Sequence, residues 1–330
     1  YHRHRIHTSV LLRGIDGFGP SHHLHTDRLL TMSENLPAVS IAIDTRERIE
    51  GALPEVLELA AGGLISLERA TLAGGDGLPA LKPPGEPGSP VKLTVYGGRG
   101  VRADGNSGYV RAVARLAEAG VLGAAVLLAV DGMLHGERRR GRFFARNAQV
   151  PLMLLAIGAW ESLEPVLPEI TALLENPVVT VEKVRICKLA GAPITEPLTH
   201  LAPDDSGLPS WQKLTVHVEE QAMHDGEPVH VELVRRLREA GAAGATALRG
   251  VRGFYGDREP AADRVWSLRR RAPVSVIVID TPAAVARWWP IVDELTHEHG
   301  LVTSEIVPAS HGLGVTALAL DDARAPRRSP

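Results

Sequence analysis

The strongest constraint on this chain is internal repetition, because one pattern of strands and helices recurs three times within 330 residues. Lys92-Leu93-Thr94-Val95-Tyr96 returns as Lys213-Leu214-Thr215-Val216-His217, each a short β-prone run after a Pro-rich stretch, and these read as two first strands. Tyr109 to Gly120 and Val229 to Gly241 follow, with apolar residues three and four apart and a closing glycine, the pattern of an amphipathic first helix. A second strand appears three times, as Val10 to Gly17, Val126 to Gly132 and Ala247 to Gly253, each ending in a glycine-containing turn. A third strand follows a proline in each copy: Pro37 to Asp44, Pro151 to Gly158 and Pro273 to Asp280. The outer copies align without a gap, since Gly17 to Pro37 is 20 positions (37 − 17) and Gly253 to Pro273 is also 20 (273 − 253).

Each third strand leads into a helix through Thr45, Ala159 or Thr281, and Thr is a good N-cap in two of the three. The fourth strands are Leu64 to Leu72, Val178 to Ile186 and Leu301 to Val307. Two βαβ halves side by side make a four-stranded antiparallel sheet with two helices on one face, so the expected class is α+β with ferredoxin-like (βαββαβ) modules. The expected boundaries are module 1 at 1–72, a linker at 73–90, module 2 at 91–187, a second linker at 188–211, module 3 at 212–308 and a tail at 309–330. The linkers are rich in Pro and Gly and poor in periodicity.

Laid on module 3 with an offset of 236, Tyr1 falls on Leu237, near the end of the first helix. Module 1 therefore lacks the first strand and most of the first helix. In such a sheet the first strand is central, and its loss exposes two ladders of backbone hydrogen-bonding groups. The expectation is that Tyr1 is not the natural start, or that another chain donates the strand.

Composition narrows function. Apolar residues make up 44% of the chain and charged residues 23%, a globular balance. The formal charge of −3 provides no global field for nucleic acid or an anionic membrane, so an anion site must be local. The longest apolar stretches, Val121 to Val130 and Val150 to Trp160, are about half of the roughly 20 residues of a membrane helix. The opening Tyr-His-Arg-His-Arg-Ile-His does not resemble a secretory signal, and a cytoplasmic protein is expected. The single cysteine, Cys187, ends an apolar alternation and reads as a core residue.

Leu12-Arg13-Gly14-Ile15-Asp16-Gly17-Phe18-Gly19, followed by His22-His23-Leu24-His25-Thr26-Asp27-Arg28, resembles an uncharacterised family of PII-like domains, domain of unknown function number 190. Module 3 repeats the pattern as Leu248-Arg249-Gly250-Val251-Arg252-Gly253-Phe254, with Asp263-Arg264 in the place of Asp27-Arg28. Module 2 departs from it, with Leu128-Ala129 for Arg-Gly and Gly141 for the Asp. The resemblance implies a ferredoxin-like fold that assembles as a trimer, here as an intramolecular pseudo-trimer of three tandem modules. It also implies small-molecule sites in the clefts between modules. PII-type proteins bind nucleotides there and report the bound state to a partner, often a membrane transporter or an enzyme, through the loop after the second strand. Family members stand beside fluoride channels in bacterial genomes, which suggests a channel of that kind as partner.

The candidate sites follow from residue chemistry. The turns with Arg13, Gly14, Gly17 and Gly19, and with Arg249, Gly250 and Gly253, offer backbone N–H groups and an adjacent cation for a phosphate, or simply allow a tight bend. Arg28, Arg142 and Arg264 hold the same place in all three modules (28 + 114 = 142; 28 + 236 = 264) and suit bidentate anion recognition, or else pin the loop by pairing with Asp27 and Asp263. His22, His23 and His25 are the richest metal-ligand cluster, against which stands their absence from the other modules. The basic run Arg138 to Arg142 reads as a solvated loop, and the central strands lack the aromatics that RNA stacking needs. No nucleophile with a base and no recurring carboxylate pair is found. The expected function is a non-catalytic, signalling or regulatory protein that binds a small anionic molecule, such as a nucleotide, with no nucleic-acid partner. The alternatives are a metal-binding protein of the copper-tolerance type or a ligand-free accessory subunit of a membrane transporter.

Overall fold

The computed structural model describes residues 1–19, 25–26, 36–60, 63–74, 81–103, 105–140, 150–198, 209–256 and 272–311. It is a mixed α/β chain of antiparallel sheets with few helices. The first copy runs β1 (Thr8–Arg13), β2 (Asp16–Phe18), β3 (His25–Thr26), β4 (Ala38–Ile43), α1 (Arg46–Leu59), β5 (Leu64–Ser66) and β6 (Thr71–Gly74). The second starts with β7 (Pro90–Gly98), a small ribbon of β8 (Arg102–Ala103) and β9 (Asn106–Ser107), and α2 (Gly108–Glu118). It continues with β10 (Gly123–Leu128), β11 (Asp131–Leu134), β12 (Glu137–Arg140), β13 (Leu152–Ala159), α3 (Trp160–Leu163), α4 (Leu167–Ala172), β14 (Glu175–Lys183), β15 (Arg185–Leu189) and β16 (Ala192–Pro193). The third has β17 (Ser210–Glu219), a ribbon of β18 (Met223–His224) and β19 (Glu227–Pro228), α5 (Val229–Glu239), β20 (Ala245–Arg249), β21 (Arg252–Tyr255), β22 (Pro273–Asp280), α6 (Pro282–Leu295) and β23 (Leu301–His311).

The two full copies use the same strand order, β10-β13-β7-β14 and β20-β22-β17-β23, with every neighbour antiparallel. Their first helices bury one stripe each: Ala112, Val113 and Leu116 in α2, and Val229, Leu233, Val234 and Leu237 in α5. The second helices carry a proline at the same repeat position, Pro54, Pro168 and Pro290. A further proline, Pro165, accompanies the break of the middle one into α3, a 3-10 turn and α4, because each proline removes a helix donor. Thr281 caps α6 by accepting from the Ala284 amide at 3.3 Å, whereas Thr45 makes no such bond; its own amide donates to Asp44 Oδ1 at 2.7 Å.

The expected second strands are each two strands, and the second half belongs to a different sheet. β11 of copy 2 pairs with β1 of copy 1, β21 of copy 3 with β10 of copy 2, and β2 of copy 1 with β20 of copy 3. The register is the same each time: Val10 faces Gly132, Ala125 faces Gly253 and Thr246 faces Gly17. The opposite edges are exchanged as well, since β6 pairs with β14, β15 with β23, and the far end of β23 with β5. The expected linkers therefore begin as paired strand, to Gly74 and to Leu189, and β23 runs past Val307 to His311 within the expected tail.

Each full core borrows from a neighbour: Phe254 of copy 3 packs in the core of copy 2, and Phe18 and Cys187 pack in that of copy 3. A further core mixes all three copies through Leu12, Tyr96, Met153, Val178 and Leu248. The crossing glycines carry this exchange. A Cβ on Gly17, Gly132 or Gly253 would stand 2.3 to 2.4 Å from the carbonyl oxygen of Ala245, Ser9 or Ala124, equivalent positions in the neighbouring copy. Alanine at Gly132 or Gly253 is expected to destabilise the chain by about 1–3 kcal/mol through overpacking against backbone. A urea midpoint unchanged from the parent would contradict this.

Candidate functional site

The exchanged strands bring five charged side chains from all three copies to one point. Glu68, Glu182 and Glu305 hold equivalent places in the closing segments, and their carboxylate oxygens lie within 4.8 Å of one another. Lys92 and Lys213, on the first strands of copies 2 and 3, stand among them. Lys92 Nζ meets Glu305, reaches Glu182 at 3.0 Å and Glu68 at 3.6 Å; Lys213 Nζ reaches Glu68 at 2.7 Å and Glu305 at 3.4 Å. Among the described residues this is the one group of three or more His, Cys, Asp or Glu side chains close enough to hold a metal, yet the lysines already supply positive charge there. Burial pushes the Glu182 carboxyl up to about 7 even though Lys92 opposes it, with Glu305 and Glu68 adding to the rise. Burial also opposes ionisation of Glu68, but Lys213 and Lys92 prevail and hold it well below the carboxylate range.

Next to this cluster His217 is buried, its Nδ1 2.9 Å from Ser275 Oγ and its ring 4.8 Å from that of Tyr255. Burial lowers its pKa to about 3, helped by Lys92 and Lys213. The folded state thus keeps His217 neutral while the unfolded chain takes up a proton below the ordinary 6.5, so its contribution to stability is lost as pH falls from 6.5 toward 3. Glu182 acts in the opposite sense. Its raised pKa means that the folded state binds a proton the unfolded chain releases, a contribution present below 4.5 and lost as pH rises through 7. Two outcomes are expected: the His217 ring resonances stay those of a neutral imidazole at pH 5, and Glu182→Gln gains Tm relative to the parent between pH 5 and pH 8. A titrating His217 signal near 6.5, or a pH-independent Tm difference, would contradict them.

The second concentration of charge lies at the seam of copies 1 and 2, where the turn between β11 and β12 reaches the segment before β1. A cavity of about 550 Å³ there is lined by His2, Arg3, Arg5, His7, Arg48 and His135, with Glu137 as its acid. A neighbouring cavity of about 270 Å³ shares His135 and Glu137 and adds Arg139, Glu175 and Asn176. The His7 and His135 rings meet edge to face at 4.6 Å. The His7 amide donates to Asp44 Oδ2 at 2.7 Å, and Arg48 Nη1 donates to the Arg5 carbonyl at 2.8 Å. Both Arg5 and His135 adopt positive φ, 52° and 51°, an uncommon conformation for residues with a Cβ. Burial, then the neighbouring His135, lowers the His7 pKa against the pull of Asp44. Sequence reasoning missed this cleft because its residues are far apart in the chain and do not recur between copies.

The sites read from sequence are placed as follows. The amides of Gly14 and Gly250 donate to Pro37 and Pro273 carbonyls at 2.7 Å, those of Ile15 and Val251 to Ala247 and Val126 at 2.8 Å, and that of Gly17 to Asp16 Oδ1 at 2.9 Å. A Cβ on Gly14 or Gly250 would lie 2.7 Å from a proline Cγ; copy 2 carries Ala129 there, with its bond to Pro151 at 3.1 Å. Close packing thus accounts for these glycines. Nothing stands within 4 Å of a Cβ at Gly19. Gly253 is a crossing glycine, Arg13 is exposed at the end of β1, and Arg249 pairs with Glu220 at 2.5 Å. His25 lies in β3, opposite Gly17. His22, His23, Asp27, Arg28, Arg142, Asp263 and Arg264 lie outside the described residues. In the basic run, Arg138 pairs with Asp131 at 2.6 Å and Arg139 with Glu137 at 2.5 Å. Cys187 is fully buried, and burial pushes its thiol up to about 11.

No helix among the described residues is long and apolar enough to cross a membrane. One family model, described as "Uncharacterized ACR, COG1993" (DUF190), matches residues 1–72, 90–186 and 211–309. A UPF0166 protein of Aquifex aeolicus (strain VF5) is similar, 30% identical over 95 residues, which are 28% of this chain and 88% of that protein. No solved structure matches.

Proposed function

The chain belongs to the DUF190 family, in three tandem copies, and from that premise we propose that it is a PII-like regulatory protein that binds a small anionic ligand between copies. In this reading the copies are ferredoxin-like modules and the chain is an intramolecular pseudo-trimer. The cyclic strand exchange supports it: copy 2 lends to 1, copy 3 to 2 and copy 1 to 3, in one register. A heterologous contact repeated around a closed ring is what threefold symmetry requires.

The observation that carries the ligand class is the lining of the seam cleft, with three arginines and three histidines against one glutamate. Arginine pairs with phosphate or carboxylate through parallel N–H donors, and an anion arriving beside His7, whose pKa burial lowers, favours its protonated form. A nucleotide or another phosphorylated metabolite suits both the size and the charge. The turn that carries His135 joins β11 to β12, so binding bears on this hairpin, a place for contact with a partner such as a membrane channel. The role is recognition rather than catalysis.

Thermal-shift measurements with ATP, ADP and pyrophosphate test this. A ligand at 100 times its Kd stabilises by about 2.7 kcal/mol, and Arg48→Ala together with His135→Ala should remove the shift. Equal stabilisation of the parent and the double variant, or no shift with any anion, would refute the assignment.

A further inference from the structure

Two imidazoles from different copies meet edge to face in the seam cleft, and their surroundings decide how many protons they can carry together. His7 Nδ1 lies 2.9 Å from the hydroxyl of the fully buried Thr8, and the His7 carbonyl accepts the Gly136 amide at 2.8 Å. His135 sits at the tip between β11 and β12, its Nε2 3.1 Å from the Asn176 carbonyl. That oxygen can only accept, so in the neutral ring Nε2 carries the proton and Nδ1 the lone pair. With the ring centres 4.6 Å apart, His135 ties the hairpin tip of copy 2 to the residue that enters β1.

Positive charge dominates around the pair. Arg48 of α1 and Asp44, just after β4, face His7. Asp44 already accepts the amides of His7 and Thr45 at 2.7 Å each and lies 3.7 Å from Arg48. His2, Arg3 and Arg5 add to the basic side of the cleft. Of the nearby acids, Glu55 pairs with Arg3 at 2.7 Å and Glu137 with Arg139 at 2.5 Å, while Glu175 lines the smaller cavity on the other side of His135. Burial, then His135, with Arg48 a smaller cause, lowers the His7 pKa against Asp44. The closed seam therefore favours a neutral His7, and that contribution is present above 6.5 and lost as pH falls below it. A second imidazolium at this distance adds like-charge repulsion.

We propose that the His7 and His135 rings form a proton-operated latch: neutral rings hold the β11–β12 tip on copy 1, protonation of both releases it, and a phosphate group bound beside Arg48 keeps it closed in acid. The last step rests on the anion reading given above; the first two do not. The position of the tip then depends on protons and anion together, because a phosphate supplies the negative charge that two imidazoliums and Arg48 otherwise lack.

Hydrogen exchange of the Gly136 amide in the full chain tests the latch, with rates corrected for the intrinsic effect of pH on exchange. Between pH 7 and pH 5.5 its protection should fall, by up to about tenfold per pH unit for one linked proton, while protection in β10 stays constant. His135→Asn should make the Gly136 protection independent of pH, since asparagine tolerates the positive φ of 51° there and does not titrate. His7→Asn should do the same, and it serves if the first variant is unstable. Pyrophosphate at pH 5.5 should restore the protection of the parent. Protection independent of pH in the parent, or falling equally in parent and variants, would overturn the latch even where pyrophosphate binds. Acid loosening that pyrophosphate fails to reverse would instead overturn the anion step, and with it the ligand assigned to the cleft.

Discussion

Three strands leave one sheet and finish in another, and the close backbone approach at Gly17, Gly132 and Gly253 is what permits it. Any side chain there would meet a carbonyl of the neighbouring copy, so the crossing requires the smallest residue. Once the strands cross, other features follow. Phe18 and Phe254 are carried into cores that are not their own, the far edges of the sheets are covered by β6 and β15, and the inner faces of all three copies close on one another. Stability is consequently shared between copies, and the cores of copies 2 and 3 cannot be separated without losing apolar contacts from both.

The centre shows how the same exchange concentrates charge. The closing segments converge on the glutamates, and the first strands supply lysines from two copies. Buried ions are tolerated when each is matched, and at Glu182 burial, with Glu305 and Glu68 nearby, outweighs Lys92 and raises the pKa. The seam cleft differs in kind. Its arginines and histidines lie at the surface, at the meeting of a turn from one copy and a helix start from another, where an incoming anion can replace solvent.

The two halves of the second strand show where pattern reading stops. Val126 to Gly132 carries the apolar character of one strand, and its turn chemistry at Ala129 and Val130 is equally that of a bend or of a crossing. Arg249 is similar: it is a plausible phosphate ligand in sequence, but the fold brings Glu220 within 2.5 Å, and in copy 2 the corresponding places are Leu128 and Arg99. Arg99 donates to the carbonyls of Ala129 and Pro151 instead, so the two copies solve one position with opposite arrangements of charge.

The sequence alone determined the number of copies and the main succession of strands and helices in the two full ones, and its motifs pointed to the family. These rest on local periodicity and on self-comparison, which need no knowledge of distance. Only the tertiary structure decided which copy each strand belongs to, why the repeated glycines are small, and which charges meet. Lys92, Glu305 and Glu68 are separated by hundreds of positions or by a repeat boundary, as are His7 and His135, and no pattern within one copy encodes contact with the next. Antiparallel pairing between copies is specified by register and packing in three dimensions, and that is where the charge cluster and the cleft arise.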